Sequence, residues 1–223
     1  MKDIDAIAAL QDPVRRRLYE YVAAQGREVG RNEAAEAAGV ARTLAAHHLD
    51  KLTDAGLLES GSRRLTGRSG PGAGRPAKVY TRSRDERSFS LPARDYRTAA
   101  ELLAETAEAA GLDAELRAAA RRRGEALRAS AAPCADLDRA AELLAARGYE
   151  PHREESADTG MPAVRLRNCP FHAVAESHPP LVCGMNLALL EGLLGTDGPV
   201  RARMDARPGE CCVVVEPVEV SKN

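Results

Sequence analysis

The sequence predicts an α+β chain of two domains joined by a helical connector, and three observations carry that expectation. Apolar residues recur at helical spacing through the first sixty positions, a stretch rich in Ala, Glu, Arg and Leu follows Pro92, and strand-like segments alternate with helices beyond Pro133. The 223 residues, 44% of them hydrophobic, suffice for two modest cores. The expected divisions are 1–90, 91–130 and 131–223.

Asp12-Pro13 opens the first helix with an Asx cap and a proline at its first position; Val14, Leu18, Tyr19 and Val22 follow at helical spacing towards Gly26. Asn32 caps a second helix, Glu33 to Ala38, and Gly39-Val40 turns the chain. Arg42 to Ala55 then forms a third helix with Leu44, His48, Leu49 and Leu52 inward, stopped by Gly56. Leu57-Leu58-Glu59 starts a strand, Gly61 to Pro76 makes a Gly- and Arg-rich loop, and Ala77-Lys78-Val79-Tyr80 returns. Helix, glycine turn, helix and hairpin make a winged helix-turn-helix, whose second helix of the pair enters the DNA major groove with its early residues at the base edges. Arg42, Thr43, Ala46 and His47 are the side chains expected there. His48, on the apolar face, is expected in the core. Arg15, Arg16 and Arg17 suit either the DNA backbone or a solvated face.

The formal net charge of -1 hides an asymmetry. Residues 1–92 carry sixteen Lys and Arg against twelve Asp and Glu, and the remainder sixteen against twenty-one. From Ser60 to Arg84 there is no acid, while Arg63, Arg64, Arg68, Arg75 and Lys78 fall within that stretch and are the expected phosphate contacts.

These residues resemble the winged helix-turn-helix regulators of the ArsR and DeoR type over roughly residues 5 to 82. Asp12-Pro13-Val14-Arg15-Arg16, Ala45-Ala46-His47-His48-Leu49 and Ala55-Gly56-Leu57-Leu58 carry the likeness, together with Gly72-Ala73-Gly74-Arg75-Pro76 in the wing. The resemblance implies binding to a double-stranded DNA operator, with Arg75 pointing into the minor groove or at phosphate.

Between Pro92 and Ser130, Tyr96, Ala99, Leu102, Leu103, Thr106 and Ala110 keep helical spacing up to Gly111, and Leu116 to Leu127 continue it. One broken helix or two consecutive ones would suit either a homodimerisation arm or a layer packed on its own chain. Beyond Ala131-Ala132-Pro133 the expected order is a helix Asp136 to Arg147, a strand Tyr149 to Glu155, a turn at Asp158-Thr159-Gly160 and a strand Ala163 to Arg167. A helical region around Phe171 follows, broken at Pro179-Pro180 and resuming from Leu181 to Leu194 with Cys183 in its first turn. Strands Val200 to Ala206 and Cys211 to Val218 close the chain, joined by Arg207-Pro208-Gly209-Glu210.

Five cysteines, an odd number in a compartment expected to be reducing, argue against a disulfide framework. Thirteen residues separate Cys169 from Cys183 and twenty-seven separate Cys183 from Cys211, too open for a zinc ribbon but tolerable for an iron–sulfur cluster, which itself spaces its ligands. In an extended strand Cys211 and Cys212 point to opposite faces, so one of them faces the site; Cys211 is the favoured ligand and Cys212 the core residue, with the reverse open. His172 and His178 are candidate nitrogen ligands, and Cys134 stands apart. Small thiols filling a core remain the plain alternative.

Asn168-Cys169-Pro170-Phe171, Leu181-Val182-Cys183, Leu190-Glu191-Gly192-Leu193-Leu194-Gly195 and Cys211-Cys212 resemble the sensor domain of the SufR family, regulators of iron–sulfur assembly operons. That resemblance implies a 4Fe-4S or 2Fe-2S cluster on Cys169, Cys183 and Cys211, with zinc or no cofactor as alternatives, and DNA binding, by repression, that changes when the cluster is lost. The fourth ligand is not apparent, and the first cysteine spacing is one residue longer than the family pattern. No apolar run spans a bilayer and no signal segment is evident, so a cytoplasmic protein without membrane contact is expected. An enzyme with Cys169 as nucleophile and His172 as base is the remote alternative; it lacks an orienting group and an oxyanion site.

Overall fold

The computed structural model describes residues 2–63, 76–87, 90, 92–130, 133–156 and 160–218, and the chain divides into two compact units, Met1–Arg94 and Asp95–Asn223. Arg64, Arg68, Arg75, most of the wing loop, Ala131-Ala132 and the turn residues Asp158-Thr159 lie outside the described residues. No helix among those described is long and apolar enough to cross a membrane.

In the first unit, helices α1 (Lys2–Ala9), α2 (Pro13–Gln25), α3 (Arg31–Ala38) and α4 (Arg42–Asp54) pack with strands β1 (Val29–Gly30), β2 (Leu58–Arg63) and β3 (Ala77–Arg82). The strands form an antiparallel sheet in the order β1-β3-β2, with Leu58 opposite Arg82 and Arg63 opposite Ala77. Leu18, Val22, Leu49, Leu52, Leu58 and Tyr80 are fully buried in its core. Asp12 caps α2 as expected: its carboxylate accepts from the amides of Val14 at 2.8 Å and Arg15 at 3.0 Å, so two orphan donors of the first turn are satisfied.

Two expectations are corrected here. Asn32 caps nothing; α3 begins earlier, Gly30 is its cap residue, and the Glu33 carboxylate reaches back to the Gly30 amide. Leu44 is not inward but 42% exposed, because the buried stripe of α4 runs through Ala45, His48, Leu49 and Leu52. Helix α1 and strand β1 had no counterpart in the sequence reading. Arg15 and Arg16 donate to the carbonyls of Ala9 and Leu10, tying α2 to the preceding turn.

The second unit contains α5 (Tyr96–Ala109), α6 (Asp113–Ala129), α7 (Leu137–Ala145), β4 (Pro151–Glu155), β5 (Pro162–Leu166), α8 (His172–Ala175), α9 (Pro179–Leu194), β6 (Val200–Met204) and β7 (Val213–Pro217). Its antiparallel sheet has the order β4-β5-β7-β6. Val164, Leu166, Val213 and Val215 share a core with Leu144 of α7 and with Leu190 and Leu193 of α9. Gly111, at φ 66, separates α5 from α6. Helices α6 and α9 cross backbone to backbone at Gly124 and Gly192: a Cβ on Gly124 would meet the Leu189 carbonyl oxygen and stand 2.7 Å from the Leu193 amide nitrogen.

The Pro179-Pro180 pair begins α9 and does not break a longer helix, since prolines at the first two positions have no hydrogen bond to lose. Cys183 therefore lies two residues deeper in the helix than expected. Cys211 and Cys212 precede β7 and lie outside it.

Candidate functional site: a DNA face and a thiol site

On α4, Arg42, Thr43 and His47 are exposed and Ala46 is half-buried, while the opposite stripe is sealed in the core. Leu44, on the flank, adds an exposed methyl-bearing side chain of the kind that meets a thymine methyl. The first residues of α4, the start of α3 and the base of the β2–β3 hairpin enclose a groove of about 1060 Å³, lined by Arg31, Asn32, Arg42, Ser60, Arg63 and Lys78 among others. Of the expected phosphate contacts, Arg63 lies 3.1 Å from Glu28 and Lys78 lies 2.7 Å from Asp50.

Asp50 is the residue of this face that the sequence reading missed. It sits two turns after Arg42 and accepts from Lys78 and from the buried Tyr80 hydroxyl, each at 2.7 Å, and from Arg31 at 3.2 Å. Burial and the Asp50 hydrogen bond push the Tyr80 phenol up to about 12, so it remains a donor. One carboxylate thereby joins α3, α4 and the wing strand. His48 is a core residue: it is 8% exposed, its Nδ1 has no partner, and burial holds its pKa below the usual histidine value.

The second site is built by the pairing of β5 with β7. The chain leaves β5 into Asn168-Cys169-Pro170, and the Cys211 amide donates to the Leu166 carbonyl at 2.8 Å just before β7 begins. Antiparallel neighbours thus bring Cys169 beside Cys211 and Cys212. Helix α9 supplies Cys183, which interacts with Cys212. Cys211 is buried and the other three thiols are half-buried.

The Cys211 sulfur accepts hydrogen bonds from the Cys169 thiol, the Cys212 thiol, the Val213 amide and the Asn186 side chain; these hold it well below the ordinary thiol value despite burial. The Cys169 thiol is raised by donating to Cys211 and by burial. Cys212 is raised by its bond to Cys211, then by burial and by its hydrogen bond with Cys183. The expectation that Cys211 and Cys212 face opposite sides is corrected, because neither lies in the strand and the alternation of a strand does not apply.

The His172 side chain is 64% exposed and pairs with Glu176 at 3.3 Å. His178 pairs with Glu108 of α5 at 2.6 Å. Cys134 stands apart, its thiol 3.6 Å from the Asp136 carbonyl. Among the described residues, no three His, Cys, Asp or Glu side chains stand in a ready ion-coordinating arrangement. The donor types are those that a thiophilic group takes, four cysteines from three chain segments.

Compared with known protein families, residues 10–61 match a helix-turn-helix domain, spanning α2 to the start of β2 and none of the thiol site. No curated protein and no solved structure matches the chain.

Proposed function

We propose that this helix-turn-helix transcriptional regulator binds an operator as a homodimer, and that an iron–sulfur cluster on Cys169, Cys183, Cys211 and Cys212 controls that binding. One observation carries the reading: four thiols separated by up to 42 residues of chain come within interaction range of one another, three of them beside the β5–β7 pairing and Cys183 from α9. Cys212 supplies the fourth ligand that the sequence spacing leaves unassigned. When bound, such a cluster supplies redox sensitivity and cross-links the three segments. The protein's own part is to present the four sulfurs together and to release their protons as ligation proceeds.

Dimerisation is supported by α5, whose Tyr96, Leu102 and Leu103 are 74%, 59% and 72% exposed while Ala104 is buried. Tyr96, Ala99, Leu103 and Thr106 follow the 3-4-3 spacing of a helix-pairing seam. An antiparallel second copy centred between Leu102 and Leu103 would set Arg97 opposite Glu108, joining unlike charges.

Iron, acid-labile sulfide and zinc measured per chain after anaerobic purification test the cofactor. The reading expects iron and sulfide in matched amounts, and their loss in Cys212→Ser. Zinc without sulfide instead assigns a four-cysteine zinc site, and neither element after reconstitution leaves a bare-thiol sensor.

A further inference from the structure

A primary amide buried in an apolar helix is unfavourable unless both of its ends are satisfied. Asn186 is 1% exposed in α9, a helix whose other buried residues are aliphatic or glycine. Its carbonyl oxygen accepts from the Tyr149 hydroxyl at 2.5 Å, and its NH2 group donates to the Cys211 sulfur at 3.3 Å. Tyr149, 4% exposed, lies in the turn between α7 and β4. Burial above all raises its phenol far above the usual value, so the hydroxyl stays a donor.

This chain of donors sets the amide's orientation. A flipped amide would present its carbonyl to an electron-rich sulfur and lose the phenol's hydrogen bond. Packing does not require the arrangement, since leucine has the same branched four-atom side-chain skeleton as asparagine and α9 already uses leucine at Leu181, Leu190, Leu193 and Leu194. Asn186 also follows Cys183 by three residues, so both project from the same helix face towards the thiols.

We infer that Asn186, oriented by Tyr149, is a positioning residue for the thiol site, delivering an N–H···S hydrogen bond that fixes Cys211 and stabilises negative charge on its sulfur. The inference rests on the cofactor reading above. Hydrogen bonds to a coordinating sulfur strengthen binding and raise the reduction potential, as outer ligands do in metal sites generally.

The test uses the full-length protein, cleared of metal, and Co²⁺ alone as probe, in wild type, Asn186→Leu and Tyr149→Phe. Affinity is read by competition with a chelator, the sulfur-to-cobalt charge-transfer band by absorption, and folding by thermal melting. Asn186→Leu is expected to lose about 10-fold in affinity and to shift the charge-transfer band, with Tyr149→Phe between it and wild type. After cluster loading the midpoint potential should fall in the same order. Should Asn186→Leu fail to fold, Tyr149→Phe decides, since it keeps the amide but removes its hold. Equal affinity and an unmoved band in a folded variant would overturn the inference while leaving the cofactor reading intact. A wild type that takes up neither Co²⁺ nor a cluster would overturn both.

Discussion

The ammonium of Lys78, on the returning wing strand, lies 2.7 Å from the carboxylate of Asp50 on the recognition helix. Asp50 faces the same side as Arg42, Ala46 and His47, so the free protein holds a negative charge where phosphates would approach. Asp50→Asn keeps a hydrogen-bond acceptor for Tyr80 but removes that charge and releases Lys78 and Arg31. The expected result is tighter binding to a random-sequence duplex and a slope of log K against log salt steeper by about 1, with little change in stability because the pair is over a third exposed. Fluorescence anisotropy at several salt concentrations measures both. An unchanged slope would mean that Lys78 takes no phosphate.

Arg42→Ala should weaken binding to a duplex selected from a random pool by about 10-fold, as expected for loss of one charged contact at the start of the recognition helix. Arg42 is exposed, so the melting temperature should not move. Equal affinity in a filter-binding titration would remove it from the DNA face.

Gly192→Ala should destabilise the second unit by about 3 kcal/mol or more, because the added methyl would meet the Arg121 carbonyl oxygen and lie 3.0 Å from the Glu125 amide nitrogen. Denaturant unfolding reads this. A loss below about 1 kcal/mol would show that α6 and α9 separate at little expense.

His48 gives the first unit a pH dependence. Its folded pKa lies below the unfolded value near 6.5, chiefly through burial; Asp12 opposes that shift and Arg15 and His47 add to it. The unfolded chain therefore binds the proton first, and stability is lost as pH falls through 6.5 towards the lower folded value. Comparing the unfolding midpoints of wild type and His48→Gln between pH 8 and 5 isolates the contribution: the difference should shrink or reverse on acidification. Parallel curves would exclude it.

Much of this was legible in the residues. Asp12-Pro13, Gly26, Gly39 and Gly111 mark helix ends through local chemistry, and each does so in the structure. Strand β1 was not legible, because two residues carry no period, and its place beside β3 is decided by tertiary pairing. Leu44 was misplaced by one position of helical phase, since Ala45 carries the buried stripe with too small a side chain to announce it. At the thiol site the cysteines were visible as candidates, but Cys212 was set aside by a strand periodicity that begins only at Val213. Asn186 and Tyr149 left no signal at all: an asparagine among leucines and a lone tyrosine become a pair only when α9 packs over the sheet.

The central claim is that the state of the thiol site sets DNA binding, and one measurement addresses it most directly. Anisotropy titrations of a duplex selected from a random pool would be run with the same protein sample before and after anaerobic cluster removal, the selection having been repeated with each form. The account predicts a change in affinity of at least about 10-fold between the two forms, abolished in Cys169→Ser. Superimposable isotherms in a protein shown to gain and lose its cluster would contradict it.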